Sequence, residues 1–238
     1  MTAPRPPELS AVPALTPRDR AELFALLSLH FEGVTLAQFE RDLAEKNWVI
    51  CLRRADRLVG FTTLLLTTAV FDGQPITAIY SGDTIVAPEA WGSPALARAW
   101  IASVNHLRTT VPPRPCYWLL LTSGFRTYRI LPVFWREFIP RAGPPAPESS
   151  QRLLNHLARE RYGPAFDPAT ALVRFPFPQR LRAPLATVPA GRTADPHVAF
   201  FLQRNPAHAA GDELVCLTEI HERNLTPAGR RMLAPSAP

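Results

Sequence analysis

Lysine is almost missing from this chain. Its 238 residues include 25 arginines and one lysine, Lys46. The net charge of +6 is therefore carried almost wholly by guanidinium groups, and such a balance suits acidic small molecules or an acidic carrier protein. No Lys/Arg-rich block with interleaved aromatics occurs, which argues against nucleic acid as a partner. Cysteine is scarce as well. Cys51, Cys116 and Cys216 lie far apart inside apolar runs, with no C-x-x-C and no Cys/His spacing suited to a metal, so buried reduced thiols are expected. Glu219, His221 and Glu222 are close in sequence but form no metal-binding pattern. No run approaches the length of about 18 apolar residues that a membrane span needs. The opening MTAPRPPELS has no apolar core of signal-peptide length. The expectation is a cytoplasmic protein without a membrane partner. G-x-S-x-G, Walker A, H-E-x-x-H and dinucleotide fingerprints are all absent.

Proline and apolar side chains are plentiful. With 27 prolines gathered at the ends and between periodic segments, the chain reads as rigid loops around one sizeable core or two small ones. Residues 1–15 read as a flexible proline-rich tail. Thr16-Pro17-Arg18-Asp19 opens a helix that buries Leu23, Leu26, Leu27 and His30, the last as a packing histidine. Gly33 breaks it, and a Thr35/Gln38 capping box opens a second helix with Leu36, Phe39 and Leu43 on one face. WVICLRR and LVGFTTLLLTTAVF read as strands, with turns at residues 54–57 and 72–75, so a three-strand antiparallel meander follows the two helices.

The third strand of that meander begins the stretch that organises the rest, ITAIYSGDTIVAPEAWGSPALARAWI, residues 76–101. Both of its alternating side-chain sets are mostly apolar, as in a central strand covered on two faces. Pro88 stops it. Ser93-Pro94 then starts a helix, Ser93 as N-cap and Pro94 at the first helical position. Free loop amides and the positive end of a helix dipole favour an anion such as a pyrophosphate. CYWLLLTS follows this helix and is expected to lie parallel to the key strand. FRTYRILPVFWREFIPR reads as a helix kinked at Pro132, with Arg129 and Arg136 on one face and Arg126 at its edge. That stripe is either a solvated face or a clamp for phosphates or an acidic carrier. Residues 141–150 read as a proline-rich linker. Ser149 or Ser150 then caps a helix with Leu153, Leu154, Leu157 and Tyr162 inward. ALVRFPF and ELVCLTEI read as short strands separated by a short helix near His197 to Gln203, so residues 151–238 form a C-terminal extension that completes the sheet.

This order of helices and strands over residues 16–140 resembles the GCN5-related N-acetyltransferase (GNAT) fold, an α/β (α+β) architecture with a mixed, mostly antiparallel twisted sheet flanked by helices. Val86-Ala87-Pro88 matches the V-x-P of that family, and Gly92 stands where a loop glycine belongs. Trp91 replaces the usual basic or amide side chain, and Pro94 replaces a glycine. The resemblance implies an acyltransferase that uses acetyl-CoA or another acyl-CoA as co-substrate, with Trp91, Gly92, Ser93 and Ala95 around the pyrophosphate and no metal. It implies thioester-oxygen donors at the backbone of Ile85 and Val86. Ser123, at the end of CYWLLLTS, would contact the pantetheine arm or cap the next helix, while Arg126 and Arg129 would face phosphates or an acyl-carrier protein.

Acyl transfer to an amine needs a base, an oxyanion stabiliser and an acid for the leaving thiolate. Asp83 is the base candidate, since a carboxylate in an apolar central strand is costly to bury unpaired. It could instead cap a backbone amide beside a bulge at Gly82. Ser81, two residues back on the same face, would orient substrate or water, or be a satisfied core hydroxyl. Tyr128 is the only tyrosine in the helix that supplies the family's thiolate acid, although the usual place falls near Phe134. Asp212 and Glu213 read as turn chemistry. The acceptor is expected to be an amine on a small molecule or protein, attacked directly in a ternary complex. A non-catalytic GNAT-like scaffold and a carrier-protein-dependent enzyme stand as alternatives. The extension after Pro140 suits a specialised acceptor or a homodimer contact.

Overall fold

The computed structural model describes residues 8–233. The first elements are strand β1 (Glu8–Ala11), helix α1 (Pro17–His30), strand β2 (Phe31–Glu32) and helix α2 (Leu36–Ala44). Residues 8–14 therefore depart from the loose tail expected there. β1 pairs antiparallel with the strand that follows α2, from Glu8↔Cys51 to Ala11↔Trp48, and Val12 is buried. The Thr16–Asp19 capping box forms in both directions. At α2 only half forms: Thr35 Oγ1 accepts the Gln38 N–H, but the Gln38 side-chain oxygen accepts from Arg41 and not from the Thr35 N–H.

The meander is β3 (Trp48–Arg54), β4 (Arg57–Phe71) and β5 (Gln74–Val86). Its two loops are two residues long. Ala55, Asp56, Asp72 and Gly73 all take positive φ, as the tight turns that match strand twist require. Helix α3 (Ala95–Thr109) crosses over to β6 (Cys116–Thr122), which pairs parallel with β5. Next come α4 (Phe125–Tyr128) and α5 (Ile130–Phe134), so the long kinked helix expected here is two short ones. The chain leaves helical geometry at Trp135 because its backbone turns to strand-like partners: Trp135 bridges Leu225 and Ile139 bridges Leu217.

Helix α6 (Glu148–Tyr162) starts just before the two serines expected to cap it. β7 (Phe166–Asp167), β8 (Leu172–Val173), β9 (Arg180–Leu181), α7 (Ala183–Ala186), α8 (Pro196–Arg204), β10 (Glu213–Glu219) and α9 (Pro227–Leu233) complete the chain. The main sheet has the order β1-β3-β4-β5-β6-β10-β8-β7, with β5–β6 its one parallel pair. β2 and β9 form a separate ribbon. ALVRFPF contributes only Leu172–Val173 as strand, and its aromatic end turns away as loop. α2 and α6 lie over the face that bears Tyr80, and α3 covers the face that bears Ser81.

Asn224 fastens the last part of the chain. Its side-chain amide donates to the Glu137 and Glu219 carbonyls and to Thr218 Oγ1, and its oxygen accepts the Glu137 amide. Replacing it by Ala orphans several buried groups. We expect Asn224→Ala to lose about 2–3 kcal/mol of unfolding free energy, read from urea midpoints.

Candidate active site

The site begins with a miscount between two strands. Thr62 pairs with Thr84 and Leu64 with Ser81, so Gly82 and Asp83 of β5 together face Thr63 of β4. This is a β-bulge, and it bends the strand that carries it. Glycine is required at its first position. A Cβ on residue 82 would stand 2.6 Å from Thr63 Oγ1 and 2.9 Å from Lys46 Cε. β5 and β6 remain paired only from Thr77↔Cys116 to Ser81↔Leu120. β6 continues straight along β10 to Thr122↔Leu214, while β5 leaves it. The gap between them opens into a cavity of about 1100 Å³, and side chains from both faces of the sheet line it.

The bulge also separates two residues expected to share a face. Ser81 is buried toward α3, where its hydroxyl oxygen accepts the indole N–H of Trp100 at 3.0 Å and of Trp118 at 2.9 Å. Both lone pairs are engaged, so Ser81 orients neither substrate nor water through them. It fixes a cluster in which Trp118 lies 4.1 Å from Trp100 and 5.0 Å from Trp135 between ring centres. Ser81 and Asp83 both border the cavity, but Asp83 stands near Lys46 and accepts no hydrogen bond from another described residue. Burial raises its pKa to about 6, against the pull of Lys46.

Amides at the mouth are partly free. The Ala87 N–H donates to the Val59 carbonyl at 2.8 Å. By the alternation of an antiparallel ladder, Ile85 turns its backbone groups to β4 and Val86 turns its own away. Val86, and not Ile85, therefore offers an N–H to the gap, while its carbonyl accepts the Trp91 indole N–H at 2.7 Å. In the following loop the Trp91 and Ser93 amides donate to Pro88 and Ala90, and the Ala95 amide donates to Ser93 Oγ. Those expected anion donors are engaged. Gly92, Leu96 and Ala97 line the cavity, and their amides donate to no described residue. They stand at the positive end of α3. A Cβ on Gly92 would meet nothing, so that side is open.

Trp91, 41% exposed, does not leave the mouth uncharged. The Arg126 guanidinium stacks 4.0 Å from its ring centre and donates to the Leu185 carbonyl. An arginine held across the gap thus stands where the loop lacks a basic side chain. Ser123 lines the cavity, and it is Thr122, not Ser123, that accepts the Gly124 amide. Arg129 also lines the cavity but pairs with Asp195 at 2.9 Å, while Arg136 donates to the Leu225 carbonyl. The three arginines therefore form no single basic stripe.

Tyr128 lies away from the cavity. It is fully buried, its hydroxyl donates to the Pro140 carbonyl, and Phe138, Phe200 and Phe201 surround its ring. Burial pushes its pKa up. Phe134 does line the cavity and carries no phenol.

The polar end of the cavity was missed in the sequence. Glu213 begins β10 rather than forming the turn its sequence context suggests, and it lines the same cavity as Asp83. Burial, then the Asp83 charge, raises its pKa to about 8. Tyr80, Tyr162, Arg161 and Lys46 stand with it. Arg161 pairs with Glu45 at 2.6 Å and lies over the Tyr80 ring. No local signal marks these residues, because they come from four elements that only the folded sheet brings together. Among the described residues no group of three or more His, Cys, Asp or Glu is placed to hold a metal ion. No described helix is long and apolar enough to cross a membrane.

The element order, the mostly antiparallel sheet and the splayed parallel pair give the chain a divergent GNAT-like fold. No family model matches the sequence. No curated protein matches it either. Among solved structures, the chain is similar to a conserved protein of unknown function from Enterococcus faecalis V583, with 15% identity and a TM-score of 0.41 over 54% of this chain and 31% of that one. It is also similar to the GNAT family N-acetyltransferase YhbS from Escherichia coli, solved with CoA, with 14% identity and a TM-score of 0.38 over 52% of this chain and 67% of that one. A GCN5-related N-acetyltransferase from Kribbella flavida matches with 14% identity and a TM-score of 0.39 over 52% of this chain. The chain spans about a third of the length of the first and third of these.

Two predictions follow from the site's packing and charge. Ser81→Ala leaves two buried indole N–H groups without an acceptor. It should cost about 1–3 kcal/mol and alter the near-ultraviolet signal of the tryptophan cluster, both measurable by circular dichroism during urea unfolding. The raised pKa values of Asp83 and Glu213 mean that the folded state holds protons more tightly than the unfolded chain. Their contribution to stability is therefore greatest at acid pH and declines as pH rises from about 4 through about 8. Glu213→Gln should flatten the upper part of that decline in urea midpoints taken across this range.

Proposed function

We propose that the protein is an acyltransferase that moves an acyl group from acyl-CoA, acetyl-CoA by default, to an amine acceptor in a ternary complex. The observation that carries this reading is the opening of β5 from β6 beyond Ser81↔Leu120, with unengaged amides at one end and Asp83 within. In this reading the amides of Gly92, Leu96 and Ala97, with Arg126, receive the pyrophosphate. The thioester arm enters the gap beside Ser123, and the Val86 N–H faces the carbonyl oxygen. Asp83 takes the proton from the acceptor ammonium, and the freed amine attacks the thioester carbon. A thiolate is a good enough leaving group to depart without a positioned phenol, its conjugate acid having a pKa of roughly 8.5.

The open cavity favours this enzyme over a scaffold with a filled cleft. Arg129 and Arg136 are held by partners within the chain, which favours CoA over an acidic carrier protein as donor.

Calorimetric titration with acetyl-CoA tests the donor. Binding should be lost in Gly92→Trp, whose added ring enters the open space at the mouth, and kept in Asp83→Asn. A folded wild-type protein that binds no acetyl-CoA overturns the reading. With an accepted amine, kcat/KM should climb with pH through about 6, the pKa of Asp83. Asp83→Asn should lower kcat by roughly 10²–10⁴.

A further inference from the structure

A chain that supplies side-chain positive charge as arginine at 25 positions keeps lysine at one, Lys46. That position is 6% exposed and lines the cavity. The difference between the two side chains is chemical. A guanidinium does not shed its proton, whereas an ammonium can, and the resulting amine is a nucleophile. If this position needed only charge, it would be the one place in the chain where arginine does not supply it.

The surroundings suit an amine that reacts. Lys46 follows α2, and its stem passes over the bulge, with Cε 2.9 Å from where a Cβ on residue 82 would stand. Gly82 thus leaves the room that this side chain uses. Nζ donates to the Asp42 carbonyl at 2.8 Å and lies 5.4 Å from the centre of the Tyr80 ring. It makes no ion pair with a described residue, although Asp83 is a nearby carboxylate. Asp42, Glu45, Asp83 and Arg161 face it, and burial followed by the Arg161 charge holds its ammonium below the ordinary lysine range. The one ε-amine of the chain therefore sits at the acceptor end of the cavity, next to the proposed base.

We propose that Lys46 is itself an acyl acceptor: when no external amine fills the polar end of the cavity, the bound thioester transfers its acyl group to Nζ. The proposal rests on the acyl-thioester reading given above. The ammonium gives one proton to Asp83, which passes it to solvent. The amine nitrogen attacks the carbonyl carbon, a C–N bond forms and the C–S bond breaks. The departing sulfur takes the electron pair and the second proton released from nitrogen, and the amide keeps the third hydrogen. The product is a neutral amide. It removes the cation beside Asp83 and occupies the acceptor end, so a molecule charged with donor but starved of acceptor switches itself off.

The test uses the full chain, acetyl-CoA without acceptor, and intact-mass spectrometry followed by peptide mapping. The chain's one lysine makes the assignment direct, with the α-amine as the other primary amine. Wild type should gain a single acetyl group on Lys46, at a rate that saturates with acetyl-CoA. Lys46→Arg should gain none at that position, and Asp83→Asn should be slower by about a hundredfold. Acetyl-CoA binding seen by calorimetry without acetylation of Lys46 overturns the proposal and leaves the donor reading intact. So does acetylation that rises linearly with acetyl-CoA and ignores Asp83→Asn. If acetyl-CoA does not bind, the donor reading fails on its own. 4-Nitrophenyl acetate then probes the amine directly: acetylation confined to Lys46 supports its role as an acceptor from another activated acyl donor, and unlabelled Lys46 overturns it.

Discussion

Two residues of β5 stand against one residue of β4, and most of the molecule's working geometry depends on that mismatch. Up to Ser81 the central strand is an ordinary member of the sheet, hydrogen-bonded on both sides. Beyond it the strand bends away from β6 and a cavity opens through the sheet. Gly82 permits the bend because Thr63 and Lys46 occupy the volume a side chain would need. Asp83 is carried into the cavity while Ser81 stays on the opposite face among the tryptophans. A single extra residue thus separates a hydroxyl held by two indoles from a carboxylate set beside Lys46.

The electrostatics of the gap run from one end to the other. At the mouth, free amides at the start of α3 and the arginine stacked on Trp91 present positive potential. At the inner end, Asp83 and Glu213 share the cavity with Lys46 and Arg161, and the Asp83 charge adds to burial in disfavouring the ionisation of Glu213. Such a gradient suits an anionic donor entering from one side and a cationic acceptor meeting it from the other.

The meander, the parallel crossover and the strand pairing were legible in the sequence because they depend on local pattern. Two-residue turns and β-branched runs each carry their own geometry, whereas the Ser-Pro start lies one residue off, with Pro94 at the N-cap of α3 and Ala95 its first residue. Asp83 was legible as a carboxylate with no apolar excuse. The rest required tertiary contacts. Tyr128 looked available because a helix was read through Pro132, whereas Trp135 and Ile139 find strand-like partners that end the helix early. Ile85 and Val86 differ only in which way a ladder turns their amides. Glu213 gave no signal, since an acid at the start of a late strand is ordinary until that strand is seen beside β6. The flexible tail was a judgement on proline content alone, and residues 1–7 of it lie outside the described structure.

The position of Glu213 bears on how the molecule is made. β3, β4 and β5 pair with sequence neighbours through tight hairpins, so this part of the sheet has low contact order. β10 must travel from far along the chain to lie against β6, and it brings the Glu213 carboxyl to the cavity with it. A chain that still lacks β10 has the bulge and the β5–β6 pair but not the strand that carries Glu213 to the cavity, so the polar end of the pocket depends on long-range closure of the sheet.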